Sequence, residues 1–135
     1  MRILIDTNII IDYLMFREPF YRSAETIFNN CEKGKMTGYI AAHSISNLFF
    51  ILRKNFAADE RREILKSICN LFTVVSIDEK KIKSALNNKE FSDFEDCLQM
   101  ECAKEVSADF IVTRNVDDFR TSEIRAIMPQ ELVAE

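Results

Sequence analysis

The sequence predicts an α/β fold built on a mainly parallel sheet. Short apolar runs rich in β-branched residues recur at Ile3–Ile5, Tyr39–Ala42, Thr73–Ile77 and Asp109–Thr113. Stretches with apolar residues at helical spacing separate them. Unbroken apolar runs suit strands buried on both faces beneath helices. Strands that alternate with helices join in parallel through crossover connections.

Whole-chain numbers set the class. A chain of 135 residues makes one domain, residues 1–135, with room for a real core. Hydrophobic residues at 47% and charged residues at 30% are ordinary for a soluble globular protein. The formal net charge of −4 argues against binding nucleic acid through a broad basic surface. It leaves room for an enzyme with an acidic, metal-holding pocket and a basic rim for phosphates. Cys31, Cys69, Cys97 and Cys102 form no C-x-x-C pair and have one histidine in the whole chain for company, which argues against zinc. Each reads as a small buried hydrophobe in a reducing, cytoplasmic compartment. Asp6 interrupts the apolar start, so no signal peptide is read there. No apolar run has the length of a membrane span, and with two glycines and two prolines no flexible linker is expected.

The first strand, with Ile3, Leu4 and Ile5, runs into Asp6-Thr7-Asn8, and Ile9 to Leu14 follow with helix-compatible spacing in a helix that ends near Phe16-Arg17-Glu18-Pro19. Pro19 ends that helix region, because the residue before a proline is pushed out of helical geometry. A second helix carries Phe20, Ala24, Ile27, Phe28 and Cys31 on one face and stops near Gly34. After the strand Tyr39–Ala42, His43 or Ser44 opens a helix with Ile45, Leu48, Phe49, Leu52 and Phe56 as its stripe. Asp59 is expected to cap the next helix, which buries Ile64, Leu65, Ile68, Leu71 and Phe72 and exposes Arg61 and Arg62. These two helices are expected to pair as an arm projecting from the sheet. Asp78 caps a helix with Ile82, Ala85 and Leu86 inside. Asp93 to Asp96 opens a helix with Phe94, Cys97, Leu98 and Cys102 inside. Ile124 to Met128 is a short fifth strand, and Pro129 starts a terminal helical turn.

Acidic residues gather where this topology delivers them. Asp6 ends the first strand, at the carboxyl edge where open α/β sheets bind ligands. Asp93 and Asp96 are three apart on a helix and so are neighbours on its surface. Asp117 and Asp118 leave the fourth strand. If the first and fourth strands are adjacent, these groups converge. Clustered carboxylates repel unless a cation compensates, and hard oxygen donors suit Mg²⁺ or Mn²⁺, which activate water and bind phosphate oxygens. Plainer readings stand beside this one. Asp6, Thr7 or Asn8 can cap the first helix. Asp93 and Asp96 can complement a helix N-terminus. Asp117 and Asp118 can shape a turn. Arg53, Lys54, Arg61 and Arg62 can form a solvated face, His43 a cap, and Asn47 an ordinary polar position.

Leu4-Ile5-Asp6-Thr7-Asn8-Ile9-Ile10 resembles the opening motif of PIN domains. Asp93-Phe94-Glu95-Asp96-Cys97-Leu98-Gln99, Ala103, Ala108-Asp109-Phe110-Ile111-Val112-Thr113-Arg114-Asn115 and Asp118-Phe119 resemble their later motifs, in order across nearly the whole chain. The resemblance implies a three-layer α/β/α fold around a central, mainly parallel sheet of four to five strands. It also implies a VapC-like endoribonuclease, the toxin of a toxin–antitoxin pair, that uses Mg²⁺ or Mn²⁺ to cleave RNA. Such proteins are commonly homodimers inhibited by a small antitoxin. Carried over by position, Asp6 and Asp96 are the first and third metal-binding acids, and Asp93 could add a third carboxylate. The second acid, usually Glu, falls on Ser44-Ile45-Ser46-Asn47, with Asn47 its occupant. Asn115 stands where many members have Asp, with Asp118 as compensation. The catalytic set implied is Asp6, Asp96 and Asp118; the metal set is Asp6, Asp96 and Asp93. Asn8, Asn47, Thr113 and Asn115 would support them, and Arg53, Lys54 and Arg114 would contact RNA. The missing Glu also motivates an alternative, a catalytically weak PIN-like module that binds RNA or protein.

Overall fold

The computed structural model describes residues 1–134; Glu135, the last residue of the expected domain, lies outside the described residues. Its centre is β1 (Arg2–Ile5), in which Ile3, Leu4 and Ile5 are wholly buried. Side chains alternate across a strand, so Ile3 and Ile5 enter one core cluster and Leu4 enters another. β1 pairs in parallel with β2 (Thr37–Ala41) on one side and β4 (Phe110–Val112) on the other. The parallel sheet continues outward to β3 (Thr73–Val75) and β5 (Ala126–Ile127), in the order β3-β2-β1-β4-β5. The expected adjacency of the first and fourth strands is present, with Ile5 opposite Val112.

Helices cover both faces. On the Ile3/Ile5 face lie α1 (Thr7–Leu14), α2 (Tyr21–Glu32), α3 (Ala42–Ile51), α4 (Ala58–Leu71) and α7 (Pro129–Ala134), through Ile9, Ile27, Leu48, Leu65 and Leu132 among others. On the Leu4 face lie α5 (Glu79–Asn87) and α6 (Phe94–Glu105), through Ala85, Cys97 and Met100. This is the three-layer α/β/α arrangement. Gly34 takes the left-handed φ of 77° just past α2, as the helix stop at that glycine requires. Gly38 serves differently. A Cβ there would lie 2.5 Å from Cδ1 of Phe72, so only a glycine lets that ring pack over β2.

Several local expectations are corrected. Ala42 belongs to α3 rather than to β2, and Ala41 occupies the N-cap position instead of His43 or Ser44. α4 starts after Ala57, not Asp59, and Glu60 Oε1 accepts a hydrogen bond from the Ala57 N–H. α4 is no projecting arm, because Leu65 and Ile68 reach the core that contains Phe28. Arg61 is half-buried, donates to the Phe49 carbonyl and lies over the Phe49 ring. In α5, Asp78 caps as expected, but Ile82 and Leu86 are exposed while Lys81 and Ala85 turn inward. Lys81 can do so because its ammonium meets Glu105 at 2.8 Å and Asp78 at 3.8 Å. Phe94 is exposed, and so is Cys69; Cys31 is half-buried and Cys97 and Cys102 are buried.

Candidate active site

The carboxyl edge of β1 delivers Asp6 at the N-cap position of α1, with extended backbone. Its side chain does not cap the helix, against the simplest reading of the stretch. One carboxylate oxygen, Oδ1, instead accepts from Gln99 Nε2 at 3.1 Å, and Oδ2 accepts from Thr113 Oγ1 at 2.8 Å. Those bonds come from α6 and from the residue after β4, so three elements fix one carboxylate that is 6% exposed. Thr113 Oγ1 in turn accepts from the Asn115 N–H at 3.0 Å. The Asp6 N–H reaches the Val112 carbonyl, extending the β1–β4 pairing to the site itself.

α6 brings the second acid. Asp93 occupies its N-cap and accepts from the Asp96 N–H at 2.9 Å, so one of its oxygens is used in capping. Asp96 lies one turn inward and is half-buried. Burial, followed by the negative charges of Asp93, Asp6, Asp118 and Glu95, pushes its carboxyl up to about 7. Asp118 is exposed, on the 3₁₀ turn Val116–Phe119 that leaves β4.

α3 forms the opposite side. Its buried Ser44 accepts a hydrogen bond from Thr7 Oγ1 at 2.8 Å, joining α3 to α1. Asn47 Nδ2 donates to Glu95 Oε2 at 3.4 Å. Burial lowers the proton affinity of His43, which the charges of Glu95, Asp6 and Asp93 oppose. Asn8, expected to orient the acids, makes no side-chain hydrogen bond among the described residues.

The basic residues sit differently from the expectation. Arg114 donates Nε and Nη2 to Asp12 at 2.7 and 3.2 Å, and its guanidinium stacks 4.0 Å from the Phe20 ring centre. Its fork is therefore committed within the fold rather than presented to a ligand. Arg53 donates to the Phe50 carbonyl and covers the Phe50 ring. With Arg17, Lys54 and Asn55 it lines a cleft at the far end of α1, about 12 Å of helix from Asp6.

The donors suit a hard divalent cation: all are carboxylate or amide oxygens. Gln99 Oε1 is buried with no hydrogen-bond partner, so beside the Asp6 carboxylate there is an acceptor that lacks a donor or a cation. Among the described residues no three His, Cys, Asp or Glu side chains converge tightly enough to form a ready-made ligand set.

Sequence reasoning named Asp6, Asp96, Asp118 and Thr113, and the structure brings these together. It passed over Gln99, Asp12 and Glu95. Gln99 carried a signal, since it lies three residues after Asp96 and so shares its helix face. Asp12 carried another, as a lone carboxylate following three isoleucines, where burial demands a cation.

A PIN domain family model matches residues 2–117. No curated protein sequence matches the chain. Among solved structures, FitAcB from Neisseria gonorrhoeae is 18% identical with a TM-score of 0.71, covering 95% of this chain and 98% of that one. A toxin–antitoxin complex from Klebsiella pneumoniae is 20% identical with a TM-score of 0.71, covering 93% and 96%. VapBC2 from Rickettsia felis, bound to a DNA fragment from its promoter, is 17% identical with a TM-score of 0.66, covering 95% and 98%. At such identities the likeness is one of fold.

Proposed function

Because this chain belongs to the PIN-domain family, we propose that it is a metal-dependent endoribonuclease and the toxin of a toxin–antitoxin pair. The observation that carries this reading is that the buried Asp6 carboxylate, at the carboxyl edge of β1, is held by Gln99 of α6, one turn along the same helix from Asp96. When bound, Mg²⁺ or Mn²⁺ supplies Lewis-acid stabilisation of phosphate charge and makes water more acidic. Asp6 and Asp96 would hold it, with Asp118 at the solvent side and Asp93 lending its uncommitted oxygen.

The chain's own groups have distinct tasks. Gln99 and Thr113 lock the Asp6 carboxylate in one orientation through its two oxygens. Asp96, whose proton affinity burial and the neighbouring acids raise, would give up that proton as it takes the ion, because a bound cation favours the carboxylate. Asn115, through its N–H, fixes the Thr113 hydroxyl so that its proton points at Asp6. Lys54 and Arg53, on the cleft beyond α1, would meet RNA phosphates away from the scissile bond. A small antitoxin is the natural regulator in this reading, because one structural neighbour is a toxin–antitoxin complex. A homodimer working in the cytoplasm completes it.

The alternative, a PIN-like module that binds RNA or protein with little turnover, draws on Asn47 and Asn115 standing where acids would add charge. The two readings part on one variant. Asp6→Asn keeps the size of the side chain while removing the charge and one of its two acceptor oxygens, and should lower Mg²⁺-dependent RNA cleavage by at least about a hundredfold with an unchanged circular dichroism spectrum. Equal cleavage by wild type and variant would overturn the nuclease assignment.

A further inference from the structure

We infer that the cleft at the far end of α1 holds unpaired RNA, with a base stacked on the Phe50–Arg53 pair and phosphates on Arg17 and Lys54. That the strand is RNA rests on the nuclease reading above; that it is single-stranded follows from the cleft itself.

The charge of the cleft is one-sided. Its walls include Arg17, Arg53 and Lys54 and no acid, in a chain whose net charge is −4. Elsewhere exposed lysines stand beside acids, as Lys66 with Glu63, Lys83 with Glu79 and Lys104 with Glu123. Arg17 comes within 3.9 Å of Asp12, but that carboxylate already accepts both arms of Arg114. One positive charge is therefore left over at Arg17. Three cations without a counter-charge complement a polyanion. Ile11, Met15 and Ile51 give the same cleft an apolar surface, which phosphates alone do not need.

A second observation says what else binds. α3 ends at Ile51, and the 3₁₀ turn Leu52–Lys54 follows directly. Arg53 Nη1 donates to the Phe50 carbonyl at 2.9 Å, and its guanidinium lies 3.7 Å from the centre of the Phe50 ring. A flexible cation is thus fixed as a flat plate, while Phe50 stays 61% exposed. Nucleobases stack on such rings and guanidinium planes. In a duplex the faces of the bases are covered by their neighbours, so only an unpaired strand can use the plate. α1 and α3 start side by side at the site, joined by Thr7 and Ser44, and both end at this cleft. A strand held there reaches Asp6 along about 12 Å of helix.

Fluorescence anisotropy with a labelled uridine strand of about 12 nucleotides, in EDTA so that nothing is cut, tests this. The strand should bind at least about fivefold more tightly than the same strand annealed to its complement. Phe50→Leu removes the ring and should weaken binding about fivefold or more, with the salt dependence unchanged. Lys54→Gln should instead lower the slope of log affinity against log salt by about 0.7. Lys83→Gln, on the exposed side of α5, should change neither. Thermal melts check that each variant is folded. No binding by wild type, equal binding of the duplex, or binding indifferent to both cleft variants would overturn the inference. So would displacement by oligoglutamate at equal charge, which marks a site for acidic peptides. These variants leave Asp6 untouched, so their failure spares the nuclease reading. Equal cleavage by wild type and Asp6→Asn, with strand binding intact, would overturn that reading and spare the cleft.

Discussion

Asp96 carries a free-energy cost whose sign is set by its surroundings. Burial and four neighbouring acids raise its proton affinity to about 7, whereas an unfolded aspartate titrates at about 3.9. Between these values the folded state binds the extra proton, so stability falls as pH rises through that window and then levels off. Asp96→Asn should therefore melt higher than wild type at pH 8 in metal-free buffer, and the difference should shrink as pH approaches 4. A constant difference across that range would contradict the assignment. At this scale the sequence was informative where a residue's chemistry is local. Asp6 follows an apolar run directly, and Asp96 sits three residues from a capping acid. It was silent where a residue acts through distant partners. That Asp6 would ignore its own helix and bind Gln99 and Thr113, 93 and 107 positions away, depends on sheet order.

At the level of elements, the turn out of β4 is held by one ion pair. Asp12 is buried in α1 and accepts both arms of the Arg114 fork. Arg17 approaches the same carboxylate only to 3.9 Å. Removing one partner of a buried pair strands the other, so Arg114→Ala should cost about 3 kcal/mol in urea unfolding, and Arg114→Lys should recover only part of it because an ammonium lacks the fork. The second strand has an equally specific constraint. Gly38→Ala would push Cβ to 2.5 Å from the Phe72 ring, and overpacking of this kind costs about 1–3 kcal/mol. Urea unfolding checks it. An element with strong periodicity, such as α2, was legible from spacing alone. α5 was not, because its inward position is a lysine, and a period of apolar residues cannot anticipate a charge that finds partners in Asp78 and Glu105. The placing of α4 was also hidden, since an amphipathic pattern says that a face is covered but not by which neighbour.

In the whole molecule, the layers and the site share a single frame. Anything that binds only the folded state stabilises it by mass action. Mn²⁺ at a hundred times its dissociation constant should add about 2.7 kcal/mol, seen as a higher melting temperature. Asp6→Asn, compared with its own metal-free melt, should lose that rise. An equal rise in the variant would place the ion elsewhere. The parallel sheet was legible because its strands are short apolar runs separated by helices. The order β3-β2-β1-β4-β5 was fixed only as a condition, the adjacency of β1 and β4, because pairing between strands distant in sequence leaves no mark on either one.

That order has a bearing on how the protein is made. The central strand and Asp6 leave the ribosome about a hundred residues ahead of Gln99, β4 and Thr113, which complete their surroundings. At the usual pace of translation the interval between Asp6 and Thr113 is on the order of ten seconds. Until Gln99 has been made the nascent polypeptide lacks both groups that orient the carboxylate, and until Val112 it lacks the strand that pins it. A growing chain of this topology thus cannot fix the Asp6 carboxylate before residues 99 to 113 are in place.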